Sequence, residues 1–291
     1  MGEMVGRFEN TRSEEHFLSA FDKAMTKWPD REDRSVETSF GSTMVSTVRS
    51  SGAGDPLVLL QGGGSTVAVW DRFAEAWQFD RPIIAVDTVW DAGRSVQRRP
   101  VADGRDVATW LGETLSGLDI DRAHLMGYSY GGWVALNHAV EASERLLSVT
   151  AIEPPGAIVR MPVRAWSKML RMLLGDDEQY RAYLTWVRGG RLPESTMLDL
   201  LMAARTDFVQ RGTPRPTRLT KDQWKGIRTP LMIMLGGRSR LVPSIRASKV
   251  VRDVSPQAEL HILPDASHAV LVDEPQAVID RVREFVARHD R

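Results

Sequence analysis

From Leu57 onward, short unbroken apolar runs alternate with stretches whose apolar residues recur at helical spacing, and this restricts the fold more than any other feature. The runs are "PLVLLQ", "PIIAVD", "AHLMG", "LLSVTAIE", "PLMIMLG" and "AELHILP". Between and after them lie "DVATWLGETLSGL", "GGWVALNHAVEA", "SIRASKVVRDV" and "PQAVIDRVREFVARH". A strand that is apolar at every position is covered on both faces, so the pattern predicts a mostly parallel central sheet flanked by helices. In such sheets reactive groups gather at the carboxyl ends of strands. One further β-rich run, "STMVSTVRS", precedes them, after the charged stretch "REDRSVETSF".

Two segments depart from the alternation. Residues 156–226 contain no convincing strand, and their Trp, Met and Leu residues fall at helical spacing in "VRAWSKMLRMLL", "EQYRAYLTWV" and "STMLDLLMAARTDFV". An inserted helical cap explains this better than a structureless loop of that length. Residues 1–35 read as an N-terminal helical extension in which Phe17, Phe21, Met25 and Trp28 form one apolar stripe, ended by Pro29. That stripe is expected to pack on the domain, the alternatives being a homodimer contact or a cover over the site. The core is then residues 36–155 and 227–291.

With 42% hydrophobic and 26% charged residues, the chain has the material for a large soluble core. Lys plus Arg equals Asp plus Glu at 38 each, so no net field favours nucleic acid or an anionic membrane surface as a partner. The absence of cysteine excludes disulfides, a thiolate nucleophile and thiolate metal ligation. None of the six histidines pairs with another in an H-E-x-x-H arrangement, so no metal or other cofactor is expected. "MGEMVGRFENTRSEEHF" lacks the apolar core of a signal peptide, and nowhere do about 18 apolar residues run together. The expectation is a soluble, cytoplasmic protein acting on a small molecule.

The chemistry centres on "GYSYGG", Gly127 to Gly132, between an apolar run and a helical stretch. A serine hydroxyl is a weak nucleophile that needs exposure, a nearby base and donors aimed at the developing oxyanion. A sharp strand-to-helix turn exposes Ser129, and glycines on either side let strand and helix approach. The Tyr130 amide then opens the helix, where the dipole favours negative charge. "LVLLQGGGS" offers a second oxyanion donor, for which Gly63 is the choice; a plain tight turn is its alternative use. No Lys-Ser or Lys-Thr follows those glycines and no G-x-G-x-x-G is present, which rules out phosphate-loop and dinucleotide readings. His268, in "LPDASHAVLVDEP", lies in a loop after the last strand, where a base reaches a serine at another strand's end. His124, His138 and His261 sit inside strand or helix patterns and read as structural, and His16 and His289 as ordinary helix residues.

Together, "LLQGGGS", "IIAVDTVWDAGRS", "GYSYGGWVAL", "TPLMIMLGGRSRLVP" and "LPDASHAVLVDEP" resemble the α/β-hydrolase superfamily, particularly its capped esterase, lactonase and haloperoxidase-like members, over about residues 40–288. The resemblance implies an α/β-hydrolase fold with Ser129 as nucleophile and His268 as base, and a structural Asp87. Two positions depart from the family. Gln61 stands where a histidine usually precedes the oxyanion-loop glycine, and Ser239 where the acid is expected. Some members carry the acid after the preceding core strand, here "SVTAIEPPGA", which makes Glu153 the candidate. Its place between Ser129 and His268 preserves the Ser, acid, His chain order. The alternatives are that Glu153 caps the Pro154-Pro155 turn while Ser129 and His268 work as a dyad, or that Asp265 supplies the carboxylate.

The expected function is hydrolysis of a small-to-medium apolar ester or lactone through an acyl-enzyme, with no cofactor. Tyr128, Trp166 and Trp186 are candidate substrate contacts, and Met169, Met172 and Met202 share the helical region; the same spacing also suits a simple helical core. The fold also hosts eliminations, cyclisations and acyl transfers, and non-catalytic ligand receptors.

Overall fold

Five of the six apolar runs become the interior of one sheet, and the last, "AELHILP", becomes its edge. The computed structural model describes residues 5–78 and 80–291. In chain order β1 (Arg7–Phe8) and α1 (Thr11–Met25) lead to β2 (Glu32–Thr38), β3 (Gly41–Val48) and β4 (Leu57–Leu60). Next come α2 (Asp71–Trp77), β5 (Ile83–Val86), β6 (Val96–Gln97), α3 (Gly104–Gly117), β7 (Ala123–Tyr128), α4 (Tyr130–Glu141) and β8 (Leu146–Ile152). An insertion holds α5 (Val163–Leu174), α6 (Asp177–Val187), α7 (Ser195–Asp207) and β9 (Phe208–Val209), and α8 (Lys221–Gly226) closes it. β10 (Leu231–Gly236), α9 (Ser244–Val254), β11 (Glu259–Leu263), α10 (Val270–Asp273) and α11 (Pro275–Ala287) complete the chain.

The main sheet has the order β11-β10-β8-β7-β4-β5-β3-β2, with β6 beside β3. Pairing is parallel from β11 through β5 and antiparallel where β3 meets β5, β2 and β6. Side chains of β4 alternate between two cores, as strand geometry requires. Val58 and Leu60 join Trp90, Trp110 and Trp133 on one face, while Leu57 and Leu59 join Phe17, Trp70, Phe73 and Phe285 on the other. Both faces are therefore dry, and the exposed ends of the strands are left to carry chemistry.

Two features differ from the sequence reading. Residues 32–38 form a strand, so the boundary placed at residue 35 falls inside β2; only Val36 of that strand is buried, and a charged edge strand gives no apolar signal. The stripe of the N-terminal helix packs on the domain as its spacing predicts, with Phe17, Phe21, Met25 and Trp28 buried in the same core as Trp70 and Phe73. The His16 ring bonds Asp207 at 2.6 Å and ties α1 to the end of α7. The second difference is β9, which pairs antiparallel with β1 inside the region read as strandless. A two-residue ladder is too short to show a period of two. No helix among the described residues is long and apolar enough to cross a membrane.

Candidate active site

β7 and β8 lie side by side and both end in a strained residue. Ser129 has φ 53° and ψ −118°, and Glu153 has φ 50°, a region that non-glycine residues occupy at a cost. The Ser129 amide donates to the Ile152 carbonyl (2.8 Å) and the Glu153 amide to the Met234 carbonyl (2.9 Å), so the sheet itself holds both turns. Backbone crowding explains the glycines. A Cβ on Gly127 would lie 2.0 Å from the Gly131 carbonyl oxygen, and one on Gly131 would lie 2.2 Å from that of Leu60. α4 thus rests directly on the strands, and the tight turn that results projects Ser129.

The loop after β11 brings His268 to this point. Its Nε2 is 3.0 Å from Ser129 Oγ, and its Nδ1 is 2.8 Å from Glu153 Oε2. Glu153 is fully buried and also accepts hydrogen bonds from the Gly236 amide (2.7 Å) and the Ser239 hydroxyl (2.5 Å). A carboxylate offers only acceptors, so the imidazole Nδ1 donates to it, which leaves Nε2 free to accept from Ser129. The loop is pinned on several sides. Tyr128 Oη donates to the His268 carbonyl (3.0 Å), and Asp273 accepts from the Ser267 amide (2.7 Å) and hydroxyl (2.5 Å). The small residues Gly236 and Gly237 let the loop lie against the end of β10.

Tyr130 is the first residue of α4, so its amide has no acceptor within the helix. Gly62 and Gly63 stand over the same turn: a Cβ on Gly62 would come within 3.3 Å of Ser129 Cβ, and one on Gly63 within 3.3 Å of Tyr130 Cβ. The structure therefore gathers Ser129, His268, Glu153, Tyr130 and Gly63 at one end of the sheet. Asp265 stays outside, exposed and paired with Arg238.

The proposed substrate contacts fare differently. The Tyr128 hydroxyl is committed to the His268 carbonyl, and its ring lies 5.6 Å from the imidazole, so it holds the histidine loop. Trp186 lines a cavity of about 310 Å³ with Pro162, Arg164, Ser239, Arg240 and Pro243, next to the Ser239–Glu153 contact. Trp166 lies on the outside of α5, 52% exposed. Met169, Met172 and Met202 are half-buried within the helical insertion.

Asp91 escaped the sequence reading. It is buried and accepts from the Gly64 amide (3.0 Å), the Thr88 hydroxyl (2.8 Å) and the Gln210 carboxamide (2.6 Å). Thr88 in turn lies 3.2 Å from the Gln61 carboxamide. Both ends of the Gln61–Gly64 loop are thereby tied to one carboxylate, and Gln210 links that carboxylate to the insertion. The only sequence signal was an acid four residues beyond Asp87 in the same turn. Asp87 itself accepts from the Arg94 amide at 3.1 Å.

Burial raises both carboxyls from their ordinary 3.8, Asp87 to about 7 and Asp91 to about 6. The folded chain then holds these protons more tightly than the unfolded chain, so their contribution to stability is greatest below about pH 4 and is lost as pH rises through 6 and 7. His138, pulled down to about 4 by burial, runs the other way: its contribution is complete above about 6.5 and is lost as pH falls. Asp87→Asn removes one of the opposing slopes. In urea denaturation the variant should gain on the order of 2–3 kcal/mol more, relative to wild type, at pH 8 than at pH 5. An equal difference at both values would show that Asp87 does not titrate in this interval.

Elsewhere Asp55, His124 and Asp290 place ligand atoms within 4.8 Å of one another. Arg81 takes both oxygens of Asp290 and Arg291 pairs with Asp55, so the cations this set attracts are already side chains.

A family model described as "Alpha/beta hydrolase family" matches residues 57–281. The chain is 25% identical over 292 residues to carboxylesterase YbfK of Bacillus subtilis (strain 168), covering 96% of each. Its fold is similar to the crystal structure of naproxen esterase (carboxylesterase NP) from Bacillus subtilis, with a TM-score of 0.88 at 21% identity over 95% of this chain and 99% of that one. The crystal structure of carboxylesterase CesB (YbfK) from the same organism gives 0.88 at 23% identity, over 96% and 99%.

Proposed function

Because the chain belongs to the alpha/beta hydrolase family, we propose that it is a carboxylic ester hydrolase in which Ser129, His268 and Glu153 act as nucleophile, base and acid. One observation carries this reading: an unbroken hydrogen-bonded line from Ser129 Oγ through both imidazole nitrogens to a buried carboxylate. Ser129 attacks the ester or lactone carbonyl while His268 Nε2 takes its proton. Glu153 holds the tautomer and stabilises the imidazolium. The amides of Tyr130 and Gly63 receive the oxyanion. His268 then protonates the leaving alkoxide, and a water activated by the same imidazole releases the acyl group. The carboxylesterase names of the relatives support the ester class.

In this reading the insertion is a cap. Tyr130 Oη donates to the Pro214 carbonyl (2.5 Å), the Trp133 ring nitrogen to that of Thr217 (3.0 Å) and Gln210 to Asp91, so the segment is tied to the start of α4 and to the carboxylate that holds the Gln61–Gly64 loop. Trp186 stays a candidate substrate contact through the cavity it shares with Ser239, a hydrogen-bond partner of Glu153.

A panel of esters and lactones of graded acyl length, run in heavy-oxygen water, tests the proposal. Hydrolysis places solvent oxygen in the acid product. Turnover without that label would favour elimination, cyclisation or acyl transfer. No turnover, with no fluorophosphonate labelling at Ser129, would favour a receptor.

Asp91 acts as a positioning residue for the oxyanion loop. Asp91→Ala should lower kcat by on the order of 10²-fold with little change in KM, because a displaced donor is felt in the transition state more than in the bound substrate. Asp91→Asn, which retains an acceptor for Gly64, should recover part of the loss. Steady-state kinetics on the best ester of the panel check both.

A further inference from the structure

The outer face of α5 is unlike the rest of the surface. Of the ten large apolar side chains that are exposed among the described residues, five stand on this one helix: Val163, Trp166, Leu170, Leu173 and Leu174, between 52% and 85% exposed. Their spacing puts them on one side of the helix. Ala165, Met169 and Met172 form the neighbouring strip that packs inward. Isolated exposed leucines need no explanation, whereas a contiguous apolar stripe with a tryptophan does.

Charge identifies what covers it. From Pro154 to Gly175 the chain carries Arg160, Arg164, Lys168 and Arg171 and no acid. Arg164, Lys168 and Arg171 fall on the strip next to the exposed stripe, and among the described residues none of the four pairs with a carboxylate. Asp176 caps α6 and Asp177 pairs with Arg205. The neutral total charge of the chain therefore hides a locally cationic apolar helix. A second copy packed on this stripe by a two-fold axis would set cations against cations with no acid on either helix to offset them. An anionic bilayer surface instead takes the apolar side chains into its headgroup boundary and leaves the cations among its phosphates.

We propose that α5 docks the protein on anionic lipid surfaces, with Leu170, Leu173 and Leu174 inserted and Arg160, Arg164, Lys168 and Arg171 bound to headgroup phosphates. The start of the helix, Pro162 and Arg164, borders the cavity that contains Ser239, so the docked face lies at the end of the molecule where Ser129 stands. The inference rests on the helix and stands whatever reaction the site performs.

Co-sedimentation of the full chain with large unilamellar vesicles tests it. Wild type should bind vesicles of equal parts phosphatidylglycerol and phosphatidylcholine, bind less as salt rises, and bind pure phosphatidylcholine weakly. The pairs Leu170→Gln with Leu173→Gln, and Lys168→Glu with Arg171→Glu, should each reduce binding at least tenfold, since one cation near such a surface is worth about fivefold. Circular dichroism and thermal unfolding like those of wild type establish that both pairs fold. Failure of wild type to bind the anionic vesicles overturns the proposal, as does undiminished binding by both variant pairs. A wild-type dimer in sedimentation velocity that Leu170→Gln with Leu173→Gln dissociates would assign the stripe to a second copy instead.

Discussion

Replacing Ser129 by alanine is expected to lower kcat for ester hydrolysis by on the order of 10⁶-fold while leaving KM within a few-fold of wild type. Oγ makes the bond that defines the first intermediate and contributes little to ground-state binding, so the loss falls on the chemical step. The substitution removes one oxygen at the end of β7 and disturbs no contact of α4 with the strands, so the fold should be retained. Steady-state kinetics with an activated ester, beside fluorophosphonate labelling of both proteins, check this. A variant that keeps more than about a hundredth of wild-type turnover would remove Ser129 from the mechanism, because binding and oxyanion donors alone leave only about 10³–10⁴ over water.

Glu153→Gln should cost about 10⁴-fold in kcat. The carboxylate accepts from Gly236, Ser239 and His268, and a glutamine can keep the first of these only by turning its NH₂ toward the other two. The imidazole then accepts at Nδ1 and carries its proton on Nε2, the atom that must take the proton of Ser129. Rescue provides the sharper half of the prediction. Ser239 Oγ already lies 2.5 Å from the oxygen that binds His268, so Ser239→Asp in the glutamine background should restore at least tenfold. Kinetics and thermal unfolding of the single and double variants separate this from a loss of stability. Turnover of Glu153→Gln within a few-fold of wild type would return the acid role to another group.

The way these residues meet follows from the strand pattern. Alternating apolar runs forecast the parallel middle of the sheet, and a Gly-x-Ser-x-Gly segment between run and helix located the serine, since both signals are local and repeat over several residues. Glu153 became a candidate through the resemblance, in which some members carry the acid after the preceding core strand, and Ser239, in the position where the acid was expected, donates a hydrogen bond to it. Asp91 was not legible, because the partners that give it its place, Gly64 and Gln210, lie 27 and 119 residues away, and its one local partner, Thr88, announces neither. The edge strand β2 was hidden by its charges, and the β1–β9 ladder by its length. Trp166 illustrates a different ambiguity. Helical spacing reveals that a helix has an apolar side but not which part of that side meets protein, so the same pattern suited a pocket lining, a cap core and the exposed stripe that α5 carries.

Acyl transfer to Ser129 is the claim on which the remaining roles depend, and acid-quenched mass spectrometry during turnover of an activated ester tests it most directly. One acyl equivalent should appear within the first turnovers on the peptide containing Ser129, accumulate with a burst of released alcohol, and be absent from Ser129→Ala. Wild-type enzyme that turns over the ester with no adduct on that peptide, or with the acyl group on a different residue, would contradict the account.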